Sequence, residues 1–114
     1  MAYPIPQNST QSALLFFMVQ SSDHITGLTG ASPTVTLSKN GGTFAAPSGA
    51  VSEVGSGWYK VAGNAIDTNT LGPLALHATA TSGDPCDILV AYILIDPQQG
   101  GVVATINLSG TIQR

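Results

Sequence analysis

Between Asp23 and Thr81, glycine, proline and asparagine recur every few residues, and the apolar side chains between them fall into short runs that alternate with Ser and Thr. A helix interior loses about 1 kcal/mol for each glycine and about 3 kcal/mol for each proline, so a chain punctuated in this way does not propagate helices. Short strands tolerate the pattern, because a period of two fixes one apolar and one polar face while Gly, Pro and Asn supply the turns. The spacing predicts an all-β chain of about seven to eight short strands, arranged as a β-sandwich or barrel.

Individual elements follow from the same logic. Thr34 to Lys39 alternates, with Val35 and Leu37 on one face, and ends at Asn40-Gly41-Gly42, a hairpin signal of the Asn-Gly type. Short strands are expected at Thr43 to Ala45, Ala50 to Val54 and Trp58 to Ala62, separated by Pro47-Ser48-Gly49 and Gly55-Ser56-Gly57. Asn64 to Thr70 is rich in residues that cap turns and reads as a connection or a single helical turn. A strand over Gly72 to Thr81 carries Leu74, Leu76, Ala78 and Ala80 on one face.

Two segments are apolar on both faces. Ser12 to Gln20 reads as one short helix or as a strand buried on both sides, and its Phe-Phe pair favours the strand. Asp87 to Ile95 is a central strand or one covered on its second side by another subunit. Outside the sandwich domain at 12–96, residues 1–11 read as an extended arm with two prolines, either disordered or lying across a neighbour. Residues 97–114 read as a C-terminal β extension, with Val102, Ala104, Ile106 and Leu108 alternating on one side.

Only 8% of the residues are charged, where an average soluble domain carries roughly a quarter. A surface built instead from Ser, Thr, Gly, Asn and Gln repels neighbours weakly and suits permanent burial in an assembly. The net charge is −3, and Lys39, Lys60 and Arg114 lie far apart, so no basic stripe exists to neutralise nucleic-acid phosphates. The apolar run Ala13 to Val19 is far shorter than the roughly 20 residues of a membrane-spanning helix, and Met1-Ala2-Tyr3-Pro4 lacks the basic start of a secretory signal. The expectation is a protein with no membrane partner and no export signal. Cys86 is the single cysteine, so no disulfide forms within the chain.

The order Gly27-Leu28-Thr29-Gly30, Pro33 to Phe44 (PTVTLSKNGGTF), Gly57-Trp58-Tyr59-Lys60-Val61 and Asp67 to Ala78 (DTNTLGPLALHA) resembles immunoglobulin-like β-sandwich modules of tailed-bacteriophage virion proteins. The resemblance covers Ala13 to Ile95 and leaves both ends outside it. Such modules occur in capsid decoration (cement) proteins and in tail and baseplate components. The resemblance implies an immunoglobulin-like sandwich and a structural role in the virion, more firmly than a position within it. With the two doubly apolar strands, the scarcity of charge and the chain ends outside the sandwich, the expectation is a capsid decoration protein at the capsid surface, assembled in the host cytoplasm, with the major capsid protein and further copies of the chain, as a symmetric oligomer such as a homotrimer, as partners; the alternative is a tail or baseplate module or a carbohydrate-binding one. The resemblance brings no catalytic residues and no cofactor.

The remaining chemistry is sparse. His24 and His77 form no HxH or HxxxH pattern with each other or with Cys86, so no metal site is expected. Asp84 and Asp87 fit turn formation better than shared calcium ligation, and Asp96 lies beyond the same strand. Glu53 is the only glutamate and no serine sits in a GxSxG elbow, so no enzyme activity is expected. Asn8-Ser9-Thr10 and Asn107-Leu108-Ser109 match the glycosylation sequon only by chance if no export signal is present. Alternation puts Tyr59 with Val61 in the core and Trp58 with Lys60 outside. Trp58 then either offers a stacking surface to a glycan or a protein, or covers the sandwich end beside Gly55-Ser56-Gly57. The residues expected to meet neighbours are Tyr3, Ile5, Leu14, Phe16, Met18, Trp58, Leu89, Ile93, Val102 and Ile106.

Overall fold

The computed structural model describes residues 3–95. The expected extension at 97–114, with Val102 and Ile106, lies outside the described residues, as does Asp96. The described residues form seven strands: β1 (Tyr3–Pro6), β2 (Leu14–Phe17), β3 (Thr34–Lys39), β4 (Val51–Gly55), β5 (Trp58–Val61), β6 (Gly72–Thr79) and β7 (Cys86–Leu94). No helix occurs among the described residues. They form two sheets, one ordered β1-β7-β6-β3 and one ordered β2-β5-β4. Every pairing is antiparallel except that of β1 with β7, which is parallel.

A single hydrophobic cluster joins the sheets. Leu14, Phe16, Met18, Tyr59 and Val61 from the smaller sheet and its margin meet Ile5, Val35, Leu37, Leu74, Leu76, Ala78, Val90, Ala91 and Ile93 from the larger. At its centre Phe16 lies opposite Tyr59 in the β2–β5 register, and their rings stack with centroids 5.9 Å apart. Tyr59 is fully buried, so its hydroxyl needs partners. It donates to Leu28 O (2.7 Å) and accepts from Ala31 N–H (3.2 Å), pinning the 28–31 segment over the core.

The N-terminal segment differs from the expected free arm. β1 adds to β7 of its own chain, and Ile5 is 0% exposed in the core. The segment has too little apolar periodicity to announce a strand, but the spacing of its two prolines permits an edge strand. Gln7 N–H donates to Leu94 O (2.7 Å), so odd-numbered residues turn their main-chain groups towards β7. Pro4 and Pro6 therefore sit where the N–H would point outward, and its loss breaks no ladder bond.

Other differences are smaller. Asn40 and Gly41 both take positive φ (50° and 81°), as the Asn-Gly turn requires, but the strand expected at Thr43 to Ala45 shrinks to a bridge between Leu37 and Ala45. Asn64 to Thr70 forms a turn around side chains: Asn64 Oδ1 accepts from Ile66 N–H and Asp67 N–H, and Asn64 Nδ2 donates to Asp67 (2.6 Å). Asp67, only 3% exposed, also accepts from Ser48 N–H (2.8 Å) and Gly49 N–H (3.0 Å), which ties this turn to the 47–49 loop. β7 holds a bulge against β6: Leu74 pairs with Ala91 while Ala75 pairs with Leu89, leaving Val90 as the extra residue.

Replacing Tyr59 by Phe keeps the stacked ring but strands the Leu28 carbonyl and the Ala31 N–H. Denaturant unfolding should show a loss of about 1–3 kcal/mol with an unchanged m-value. An unchanged midpoint would mean that the hydroxyl does not anchor the 28–31 segment.

Candidate interaction surfaces

The alternation that fills the core decides what is left outside. On β2, Leu14 and Phe16 point inward with Met18 beyond them, so Leu15 and Phe17 point outward and are exposed. The β2–β5 register sets Phe17 opposite Trp58 and Leu15 opposite Lys60, and β4 adds Ser52 beside Lys60. The Phe17 and Trp58 rings lie 5.2 Å apart, tilted by 52°. Trp58 is 46% exposed, and across β5 it faces Gly55, which has no side chain to cover it.

Two glycines hold this patch in place. Gly57 has φ of 96°, and a Cβ there would stand 2.8 Å from Phe17 Cε1 and 2.6 Å from Gly27 Cα. A Cβ at Gly27 would in turn collide with the Ser56 carbonyl. The Gly55-Ser56-Gly57 turn and the loop at Gly27 can therefore pack against each other directly beneath Phe17.

The outer face of the larger sheet is the second apolar surface. Register places Pro4, Tyr92 and Pro73 in one row across β1, β7 and β6, and Pro6 beside Leu94 in the next. Leu89, paired with Ala75, continues the surface on the other side of the bulge. Farther along, the charged and aromatic character changes: His77 Nδ1 meets Asp87 Oδ1 at 2.5 Å, and the Phe44 ring packs edge-on to His77.

The ten residues expected to meet neighbours are therefore divided. Trp58 and Leu89 are exposed on outer faces, and Tyr3 is exposed at the rim with its hydroxyl donating to Ala13 O (3.1 Å). Ile5, Leu14, Phe16, Met18 and Ile93 are instead buried in the core and are corrected to internal contacts. On β2 the face was ambiguous because both sets of alternate residues are apolar; cross-strand pairing of Phe16 with Tyr59 turns its set inward. On β7 the bulge breaks the period, so Leu89 and Ile93, four residues apart, face opposite ways. Sequence reasoning passed over Leu15, Phe17, Tyr92 and Leu94, although the apolar runs that contain them were the signal.

The titratable groups serve structure. Asp23 accepts from the Thr26 hydroxyl and from the main-chain N–H groups of Ile25 and Thr26, which lower its carboxyl to about 2. Glu53 accepts from Gly30 N–H (3.0 Å), and Lys39 Nζ donates to Ile66 O (2.8 Å). Asp84 and Asp87 have different partners, His24 and His77, so they do not converge on one ion. Among the described residues no three His, Cys, Asp or Glu side chains group as metal ligands. Burial, followed by the nearby Asp87 charge, pushes the half-buried Cys86 thiol up, which keeps it protonated and weakly nucleophilic at neutral pH. A cleft of about 240 Å³ has a mixed lining, with Leu37, Ala45 and Ala46 beside Lys39 and Asp67; Lys39 Nζ is engaged by Ile66 O, and Asp67 by the Ser48 and Gly49 N–H groups. Comparison with family models, with curated proteins and with solved structures gives no match.

His24 hydrogen-bonds Asp84 (2.6 Å), and that bond together with the carboxylate charge raises the histidine above its ordinary value of about 6.5. The pairing therefore adds stability that is complete below the unfolded histidine value and lost as pH rises through the raised folded one. NMR titration of the His24 ring should give a midpoint above about 6.5 that falls back in Asp84→Asn. A midpoint unmoved by Asp84→Asn would disprove the pairing.

Proposed function

We propose that this chain is a non-enzymatic structural protein of a tailed-bacteriophage virion, a capsid decoration subunit that bridges capsomers. The observation that carries this reading is the outward apolar patch of Leu15, Phe17 and Trp58, on a chain in which the carboxylates of the described residues are engaged with its own loops and strands. An enzyme needs a polar group free to exchange a proton or attack a substrate, whereas a patch of this kind gains by being covered. The strand order supports the immunoglobulin-like reading: β3-β6-β7 and β2-β5-β4 follow the C-F-G and B-E-D arrangement of that fold, with β1 placed beside β7. Fold alone does not assign function, so the weight rests on the surface.

In this reading each copy, as part of a homotrimer, sets the Phe17–Trp58 surface against the major capsid protein. Burying a large apolar side chain contributes about 1.5–3 kcal/mol at most, and less for one already half-buried. Each contact is modest, and many copies on one shell sum to a substantial resistance to heat and internal pressure, because the subunits bind the assembled state alone. The second reading, a tail or baseplate module that binds a glycan, is favoured by the exposure of Trp58 beside the polar Lys60 and Ser52.

Particles stripped of the protein should break at lower temperature, and re-addition should restore them. Trp58→Ala should bind such particles more weakly while its own unfolding free energy moves by less than about 1 kcal/mol. Particles equally robust with and without the protein would refute cementing. A glycan array on which binding disappears with Trp58→Ala would select the second reading. Light scattering at high concentration separates a trimer from a monomer, and a monomer would remove the trimer from the reading.

A further inference from the structure

We infer that the outer face of the four-stranded sheet is a seat for the chain's own residues 102–108. The rows Pro4–Tyr92–Pro73 and Pro6–Leu94, with Leu89 beyond the bulge, form an apolar surface across three strands that bears no charge until Asp87. Tyr92, Leu94 and Leu89 are each close to half exposed. At strand spacings of about 4.8 Å and about 3.3 Å per residue, this surface measures roughly 10 by 17 Å. One extended segment matches a surface of these dimensions, whereas a stable interface with a second folded copy covers about 800 Å² on each partner and would have to reach well beyond it.

Three observations select the occupant. The last described residue, Ile95, lies at the rim of this face, where it borders a concavity of about 240 Å³ with Pro4, Ile5, Pro6 and Leu94. The sequence then continues Asp96-Pro97-Gln98-Gln99-Gly100-Gly101, whose Pro and Gly residues favour a reversal, followed by Val102, Ala104, Ile106 and Leu108 in alternation. Seven extended residues span about 20 Å, which matches the surface, and no charge occurs between Pro97 and Gln113. The neighbouring edge is closed to main-chain pairing, because Pro4 and Pro6 leave β1 without outward donors. Contact is then made through side chains on the face. A tether of six residues gives the segment an effective concentration in the millimolar range, so a small apolar contact in the same chain suffices.

The test uses the full chain, uniformly labelled with nitrogen-15, carrying Cys86→Ser and Ile106→Cys with a nitroxide on the new thiol. The amide signals of Tyr92, Leu94 and Ala75 should lose most of their intensity relative to the reduced nitroxide, while Ser52 and Val54 on the other sheet keep theirs. Intensities unchanged at Tyr92 and Leu94 overturn the proposal. So does a loss that appears equally when label and nitrogen-15 are on different copies, since the seat would then belong to a neighbour. Ile106→Asp in the otherwise unaltered chain needs no label: the Tyr92 and Leu94 amides should shift, and unshifted signals overturn the proposal independently.

Discussion

A β-strand has two faces, and in this chain the core can take only one of them. Every other feature of the molecule follows from that constraint acting on strands that are apolar on both sides. Once Phe16 stacks on Tyr59, Leu14 and Met18 must follow Phe16 inward and Leu15 and Phe17 must go out. Once Ala91 and Ile93 fill the other wall, Tyr92 and Leu94 remain on the surface. The exposed apolar residues are thus the second half of strands whose first half builds the fold, which is why they form ordered rows.

With so few charges, the loops are fastened by polar side chains reaching for main-chain groups. Asp67 gathers Ser48, Gly49 and Asn64, Asp23 caps its own turn, and the Tyr59 hydroxyl holds both Leu28 and Ala31. At Asp23 the Thr26 hydroxyl and the N–H groups of Ile25 and Thr26 lower the carboxyl and fix its orientation. This economy leaves few charges on the outer faces, Lys60 beside the Leu15–Phe17–Trp58 patch and Asp87 on the larger sheet, so most of each face can be covered without the cost of desolvating ions.

The sequence makes much of this legible where period and punctuation agree. β3 follows directly from the alternation of Val35 and Leu37 and from Asn40-Gly41, and the inward turn of Tyr59 and outward turn of Trp58 follow from pairing Tyr59 with Val61. What was hidden depends on partners distant in the chain. Nothing near Leu14 or Phe16 says which face of β2 meets Tyr59. Nothing near Leu89 announces that Val90 will bulge and reverse the faces that follow. Residues 3–6 carry too little apolar periodicity to announce a strand until β7 supplies an edge on which the missing proline donors point outward. The Asp67 clamp joins segments 18 and 19 residues apart, a separation at which no local pattern gives a signal.

We propose that the Leu15–Phe17–Trp58 surface is covered in an assembly. A density map of an assembled virion containing this protein, at a resolution that places side chains, tests it most directly. Phe17 and Trp58 should be enclosed against another protein chain on the capsid surface. Density in which those two rings face open solvent, with the chain held through other residues, would contradict it.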